Sequence, residues 1–197
     1  MPLSFNNGGG GGDFIPFLRY GAATSSWSTA DGAFQFKSAA FDLDRIETGW
    51  MLLAEGQAPQ WVQDESRDKL AQRPEGEGEW KRGFKVLVYS PKMFGEEQPI
   101  REWGTNSTGA TMAMEKLFAA WEAEKPSDGQ VAVVEFTGAT PTKVGRGNTN
   151  VPTLNIVKLI DRPAELDDVN NADGNTEATS SSDAPSANTE DDDFADI

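Results

Sequence analysis

The clearest strand signal in the chain is WKRGFKVLVYSP, residues 80–91. Its side chains alternate in two sets, which are Phe84, Val86 and Val88 on one side and Lys85, Leu87 and Tyr89 on the other. Strict alternation of this kind predicts a β-strand with one face in a core. The second face carries a cation and an aromatic ring, so the stretch predicts a strand with one face available for binding.

Signals on both sides of this stretch complete a set of five strands and one helix. Apolar segments bounded by turn residues predict strands over 34–44, 49–56, 130–138 and 151–160. A helix is predicted over 106–125, because Ser107 or Thr108 can cap its start and large apolar side chains follow at helical spacing. Two loops rich in polar residues and glycine are predicted, over 63–79 and 139–150.

The order strand, strand, strand, helix, strand, strand is the order of the oligonucleotide/oligosaccharide-binding (OB) fold. We therefore expect a mainly β (α+β) domain over 14–162, a five-stranded OB barrel with one helix between strands 3 and 4. Many other α+β domains also have five strands and a helix, so the element order alone does not exclude them.

The charge of the chain is concentrated at one end. The chain carries 17 basic and 32 acidic side chains, a formal net charge of -15, and 11 of the acidic ones follow residue 162, where no basic one occurs. Segment 163–197 also has few large apolar residues, so it is predicted to be a disordered acidic tail. The glycine tract within 1–13 predicts a flexible N-terminus.

Composition also argues against most enzyme classes. The chain has no Cys and no His, which removes thiolate nucleophiles, imidazole bases and the usual zinc ligands. Carboxylates occur close together at Asp42 and Asp44 and within 75–79, but without calcium-loop spacing. We expect no catalytic activity, no cofactor and no metal site. With no signal peptide and no apolar run long enough to span a membrane, we expect a cytoplasmic protein.

Aromatic and basic residues interleave in a pattern typical of single-strand binding, in which bases stack on rings and cations contact phosphates. The candidate DNA-binding residues are Trp50, Trp61, Trp80, Lys81, Arg82, Lys85, Tyr89, Lys143 and Arg146. Trp50 and the five residues from Trp80 to Tyr89 lie along the predicted strands, and Trp61 follows the second of these strands. The last two lie in TKVGRGNTN, where the predicted strand 4 to 5 loop would close over a bound strand.

The sequence leaves the role of several of these rings open. Phe84 and Trp121 are expected in the core because they continue apolar stripes. Trp50 and Trp61 either line a groove or pack beneath it. Trp80 and Tyr89 are equally consistent with stacking and with burial.

The C-terminal sequence TEDDDFADI combines a carboxylate run with an aromatic and an aliphatic residue. With the predicted barrel and linker, it resembles the single-stranded DNA-binding proteins of bacteria and especially of bacteriophages, although it lacks the Pro-Phe ending of the bacterial members. The segments GWMLLAEGQAPQWVQDE and NVPTLNIVKLIDRP are similar to phage replication-cluster proteins. The resemblance covers roughly 37–163 and the tail.

This resemblance implies a protein that coats single-stranded DNA without sequence specificity during phage DNA replication, recombination or repair, in the host cytoplasm. It implies that the tail docks on a polymerase, helicase or nuclease, and the docking residues are Asp191, Asp192, Asp193, Phe194 and Ile197. Two alternatives remain. One is an interaction or virion protein whose barrel binds carbohydrate or protein and whose acidic tail adds solubility or mimics DNA. The other is a recombination mediator or nuclease inhibitor that reaches DNA only through a partner.

Overall fold

The computed structural model describes residues 15–54, 56, 58–76 and 78–173. The predicted flexible N-terminus up to residue 13 and the tail from residue 174 lie outside these ranges. Within them the chain forms ten strands and three short to medium helices, so the mainly β class is confirmed. None of these helices combines the length and apolar character needed to cross a membrane.

The strands are β1 (Arg19–Gly21), β2 (Ser26–Thr29), β3 (Gly32–Phe34), β4 (Ser38–Phe41), β5 (Glu47–Leu52), β6 (Gln60–Gln63), β7 (Lys81–Tyr89), β8 (Ile100–Thr105), β9 (Gln130–Val144) and β10 (Gly147–Asp161). The helices are α1 (Pro91–Phe94), α2 (Thr108–Ala123) and α3 (Ala164–Asp173). β1, β2 and β3 form one small sheet, and the other seven strands form the main sheet.

β7 confirms the strand predicted over 80–91, and it lies in the middle of the main sheet. Its register pairs it with β4 and β5 along one edge and with β8 along the other, all antiparallel. β6 extends the sheet beyond β5, and β9 and β10 extend it beyond β4. We call the side of β7 that carries Phe84, Val86 and Val88 the inner face, because these side chains are in the core, and the opposite side the outer face.

The two sheets are not closed into a barrel, so the five-stranded barrel of the sequence prediction is not confirmed. No pairing between β8 and β10 occurs among the described strands. Instead, residues 16–18 lie parallel to β8 and exchange backbone hydrogen bonds with Glu102. The small sheet that follows inserts Trp27 among the rings of Phe36, Trp103 and Phe136, with the Trp27 and Trp103 centroids 4.9 Å apart. An aromatic cluster therefore fills the space between the two sheets.

α2 confirms the predicted helix. Its buried face contains Ala110, Met114, Leu117 and Trp121, at the spacing expected for one side of a helix. Gly109 permits close packing at the start of the helix, because a Cβ there would lie only 2.7 Å from the Thr149 hydroxyl of β10. Ser107 occupies the N-cap position, as expected, but its side chain makes no capping hydrogen bond.

The predicted loop over 139–150 is wrong, because β9 and β10 continue through it as one long antiparallel hairpin. Only Gly145 and Arg146 lie outside the strands at the tip. Gly145 has a φ of 57°, which suits the first central position of a type II′ turn. The polar composition reflects positions that are exposed or only half-buried in this part of the hairpin.

The disorder predicted from residue 163 is corrected at its start, where residues 164–173 form α3. Leu166 is fully buried in a second apolar cluster with Ala40, Ile100 and Val131 of the sheet. Arg45 and Asp167 form an ion pair of 2.8 Å at the same contact. One apolar anchor and a few polar contacts therefore order a segment whose composition is otherwise typical of disorder.

Candidate nucleic-acid interface

The register of β5, β6 and β7 divides the predicted site between the two faces of the sheet. It pairs Trp50 with Arg82, and it pairs Met51 with both Trp61 and Lys81. Because adjacent side chains of a strand point to opposite faces, Trp50 and Arg82 lie on the inner face, and Trp61 and Lys81 lie on the outer face. Sequence proximity alone did not predict this separation.

On the outer face, Trp61 lies over a floor formed by glycine. Gly49 and Gly83 are directly opposite each other in neighbouring strands. A Cβ on Gly49 would approach Trp61 Cη2 to 3.0 Å and the Val62 carbonyl oxygen to 2.3 Å, so only glycine fits there. Trp61 is half-buried, and the floor holds it against the sheet.

Lys85 lies beside this ring, with its Nζ 5.6 Å from the Trp61 centroid. The same ammonium group is 3.5 Å from Glu102 Oε2, and Lys81 forms a comparable pair of 3.0 Å with Glu79. Cation–π contacts and surface ion pairs of this kind contribute about 1 kcal/mol or less. Both lysines can therefore exchange a carboxylate partner for a phosphate at low cost.

On the inner face, Arg82 is held by Asp64. The carboxylate of Asp64 accepts hydrogen bonds from both terminal nitrogens of Arg82, from the Thr48 hydroxyl at 2.6 Å and from the Ala71 backbone at 2.8 Å. Hydrogen bonding from Arg82, more than any other cause, holds the pKa of Asp64 well below its ordinary value. Arg82 thus fixes the segment after β6 and lies on the face opposite Lys85, and its role as a phosphate contact stays a prediction.

Trp50 belongs to the same structure. Its indole Nε1 donates a hydrogen bond of 2.9 Å to the Ala71 carbonyl, and the guanidinium groups of Arg82 and Arg73 lie 5.5 and 5.9 Å from its ring centroid. These contacts engage the NH and place cations beside the ring. Of the two roles that the sequence left open, these contacts favour packing, and Trp50 helps to anchor the 64–73 segment.

A cavity of about 350 Å³ opens between this inner face and α2. Its lining includes Phe84, Met114, Phe118, Glu115 and the two arginines Arg67 and Arg82. Arg67 lies over Phe118, with its Cζ 4.6 Å from the ring centroid, and donates a hydrogen bond of 3.0 Å to the Asp44 carbonyl. The sequence pattern did not single out Arg67, since it lies in a polar loop far from α2 along the chain.

Two predicted rings are not available for stacking. Trp80 is 9% exposed and belongs to the core. Tyr89 lies on the outer face with Lys85, as predicted, but it packs against the cluster around Leu166 and its hydroxyl donates a hydrogen bond of 3.1 Å to Glu165. Burial and then the Glu165 carboxylate raise the pKa of Tyr89. α3 therefore covers this end of the outer face.

Lys143 and Arg146 lie at the exposed tip of the β9–β10 hairpin. Thr149 of β10 lies against Gly109 at the start of α2, and Asn106, just before that helix, donates a hydrogen bond of 3.0 Å to the Met51 carbonyl. Met51 pairs with Trp61, so the hairpin curves back towards the end of the sheet that carries Trp61.

The predicted docking residues Asp191, Asp192, Asp193, Phe194 and Ile197 lie outside the described residues. Glu102 is the residue that sequence reasoning missed on the outer face. It was missed because β8, with the sequence IREWGT, has two adjacent charges and its apolar residues Ile100 and Trp103 lie on opposite faces, so the strand shows no simple alternation.

Comparison of the chain with protein-family models, with curated proteins and with solved structures finds no match.

Proposed function

We propose that this chain is a noncatalytic single-stranded DNA-binding protein built on an open variant of the OB fold. The face that binds DNA is the outer face of β5, β7 and β8. Bases stack on Trp61, and phosphates contact Lys81 and Lys85. The acidic tail recruits proteins of DNA replication, recombination or repair in the cytoplasm.

The strand pairings support the fold part of this proposal. If β4 and β5 are the two halves of a bent first strand, then β7, β8, β9 and β10 correspond to strands 2 to 5, and α2 lies between strands 3 and 4. The first strand then pairs with strands 2 and 4, as an OB barrel requires. Trp27 and residues 16–18 occupy the place where strands 3 and 5 would meet.

The function is carried by the contact of Trp61 with Lys85 above Gly49. OB folds bind nucleic acid across strands 2 and 3, which correspond here to β7 and β8. A half-buried indole with an ammonium group beside it supplies both parts of single-strand binding, at about 1 to 3 kcal/mol per stacked base. The floor fixes the ring in advance, which lowers the entropy cost of binding.

The experiment is a fluorescence-anisotropy titration of a labelled mixed-sequence oligonucleotide at two salt concentrations. We expect salt-dependent binding by the wild type and an affinity at least tenfold lower for Trp61→Ala. Val62→Ala is the matched control, because Val62 is the next residue of β6, is 36% exposed and faces the other side. Absence of binding by the wild type, or equal affinities of wild type and Trp61→Ala, contradicts the proposal.

Carbohydrate binding is the second candidate, and Glu102 is the observation that favours it. OB folds also bind oligosaccharides, and a neutral sugar stacked on Trp61 meets no charge repulsion from the neighbouring carboxylate. Retention on a glycan array that Trp61→Ala abolishes, together with no oligonucleotide binding, would establish this candidate in place of the first.

A further inference from the structure

The outer face carries a carboxylate next to the proposed binding residues Trp61 and Lys85. Trp61, Lys85 and Glu102 follow one another across the sheet, with 5.6 Å from the ring centroid to Lys85 Nζ and 3.5 Å from that nitrogen to Glu102 Oε2. The side chains of Lys85 and Glu102 are 28% and 35% exposed, so a ligand can reach both. Phosphate binding alone gives no reason for an acidic group at this place.

A third glycine positions this carboxylate. Gly104 is opposite Lys85 in the register of β7 and β8. A Cβ on Gly104 would lie 3.4 Å from Glu102 Oε1, 3.4 Å from Lys85 Cγ and 3.6 Å from Met51 Cε. Glu102 therefore lies along the face above Gly104, on the same side as the Trp61 ring.

A carboxylate only accepts hydrogen bonds, so it discriminates between base edges. Cytosine N4 and adenine N6 present an amino group at the edge of the ring, whereas thymine presents the O4 acceptor at the same position. For a base stacked on Trp61 with this edge towards Lys85 and Glu102, an amino group satisfies Glu102. A carbonyl oxygen instead faces its negative charge.

We propose that Glu102 makes the outer face select cytosine and adenine, whose amino group lies at this edge of the ring, over thymine. The inference rests on the proposed single-strand binding and makes it more specific. Lys85 neutralises Glu102 in the free protein, and in the complex it turns to a phosphate while the base amino group takes its place. We expect a discrimination of about tenfold for one such contact at a partly exposed position.

The test compares two labelled oligonucleotides of equal length, one of 5-methylcytidine and one of thymidine. These bases share the 5-methyl group, so they differ only on the edge that faces Lys85 and Glu102, at position 4 and in the proton on N3. We expect the wild type to bind the 5-methylcytidine strand about tenfold more tightly. Glu102→Gln should reduce this ratio to about one, mainly by tighter binding of thymidine, because the amide also donates.

Glu79→Gln is the matched charge control, because Glu79 pairs with Lys81 as Glu102 pairs with Lys85. It should strengthen binding of both strands by the same factor and leave the ratio unchanged. Equal affinities of the wild type for the two strands, or an unchanged ratio in Glu102→Gln, overturn the inference while single-strand binding stands. A wild type that binds neither strand overturns the proposed function itself.

Discussion

At the scale of single residues, Asp64 is the most completely engaged polar group described. Its side chain is 2% exposed and accepts hydrogen bonds from Arg82, Thr48 and Ala71. Removing one partner of such a pair leaves polar groups without compensation, whereas the pair itself makes a smaller net contribution. Asp64 thus determines whether the segment after β6 stays attached to the sheet.

We predict that Asp64→Asn lowers the free energy of unfolding by about 2 kcal/mol at neutral pH. The figure is below that for a fully buried pair, because water reaches Arg82, which is 37% exposed. The lowered pKa of Asp64 makes this stabilisation fully present above the unfolded pKa of about 4, and it is lost as pH falls towards the folded pKa. Urea unfolding at several pH values measures both effects.

Asp68→Asn serves as the control, since Asp68 is exposed in the same segment. It should leave stability nearly unchanged at every pH. A difference between wild type and Asp64→Asn that stays constant from pH 7 to pH 3 would contradict the assigned role of the Asp64 charge.

The glycine floor gives a second residue-scale prediction. Gly49→Ala should destabilise the protein by about 2 kcal/mol, because its Cβ would collide with the backbone of β6. Gly104→Ala is the matched control, since the atoms around it belong to flexible side chains, not to backbone, and are 3.4 Å or more away. Thermal unfolding of the two variants tests this, and equal midpoints would show that the floor at Gly49 is not tight.

At the scale of elements, β7 and α2 could be predicted because their apolar residues follow one period throughout. β8 could not, because Arg101 and Glu102 make it read as polar. The structure buries Arg101 by directing its guanidinium to the carbonyl oxygens of Gln98 and Ile100, at 2.6 and 2.8 Å. Only tertiary contacts reveal that a charge in this segment is compatible with a core strand.

α3 also could not be predicted from local sequence patterns. Its composition predicts disorder, and its order depends on one buried leucine and the hydrogen bond between Tyr89 and Glu165. We predict that Leu166→Ala detaches α3 at a cost of about 2 to 3 kcal/mol in docking, while the sheet remains folded. Hydrogen exchange should then show loss of protection confined to α3.

Detachment of α3 should also change the titration of Tyr89. Its raised pKa means that the docking contribution is present below about pH 10 and is lost as pH rises through the raised value. The chain has two tyrosines, so Tyr20→Phe leaves Tyr89 as the only phenol. In that background, absorbance titration should give a pKa nearer 10 for Leu166→Ala than for the parent, and equal values would refute the contact.

At the scale of the whole molecule, the hairpin carries Lys143 and Arg146 at its tip, separate from β7 in the strand order. If one strand of DNA contacts both the outer face and this tip, each cation that contacts a phosphate adds about 0.7 to the slope of log affinity against log salt. We predict that the double variant Lys143→Ala, Arg146→Ala lowers this slope by about 1.4 with little effect on base preference.

The double variant Lys92→Ala, Lys116→Ala is the charge-matched control, because these exposed lysines lie on α1 and α2. It should leave the slope unchanged. Equal slopes for the hairpin double variant and the wild type would remove the hairpin from the binding surface.

The candidate site could be predicted from the sequence only in part, because the sequence groups cations and rings by their distance along the chain. In the structure, the alternation of side chains along β7 places Arg82 and Lys85 on opposite faces, and α3 covers Tyr89. Lys85 kept its predicted exposure because it alternates with buried valines. Glu102 belongs to the site because β8 pairs with β7, and no local sequence pattern predicts that pairing.

The burial of the tryptophans also determines how the protein emits light. Four of the six are in the interior, and the rings of Trp27 and Trp103 are close enough to exchange excitation energy. The intrinsic emission is therefore dominated by shielded indoles and lies towards the blue, whatever happens at the surface. Trp61 contributes a smaller component at longer wavelength, and the difference spectrum between wild type and Trp61→Phe isolates it. That component, and not the total intensity, is the optical reporter of events on the outer face.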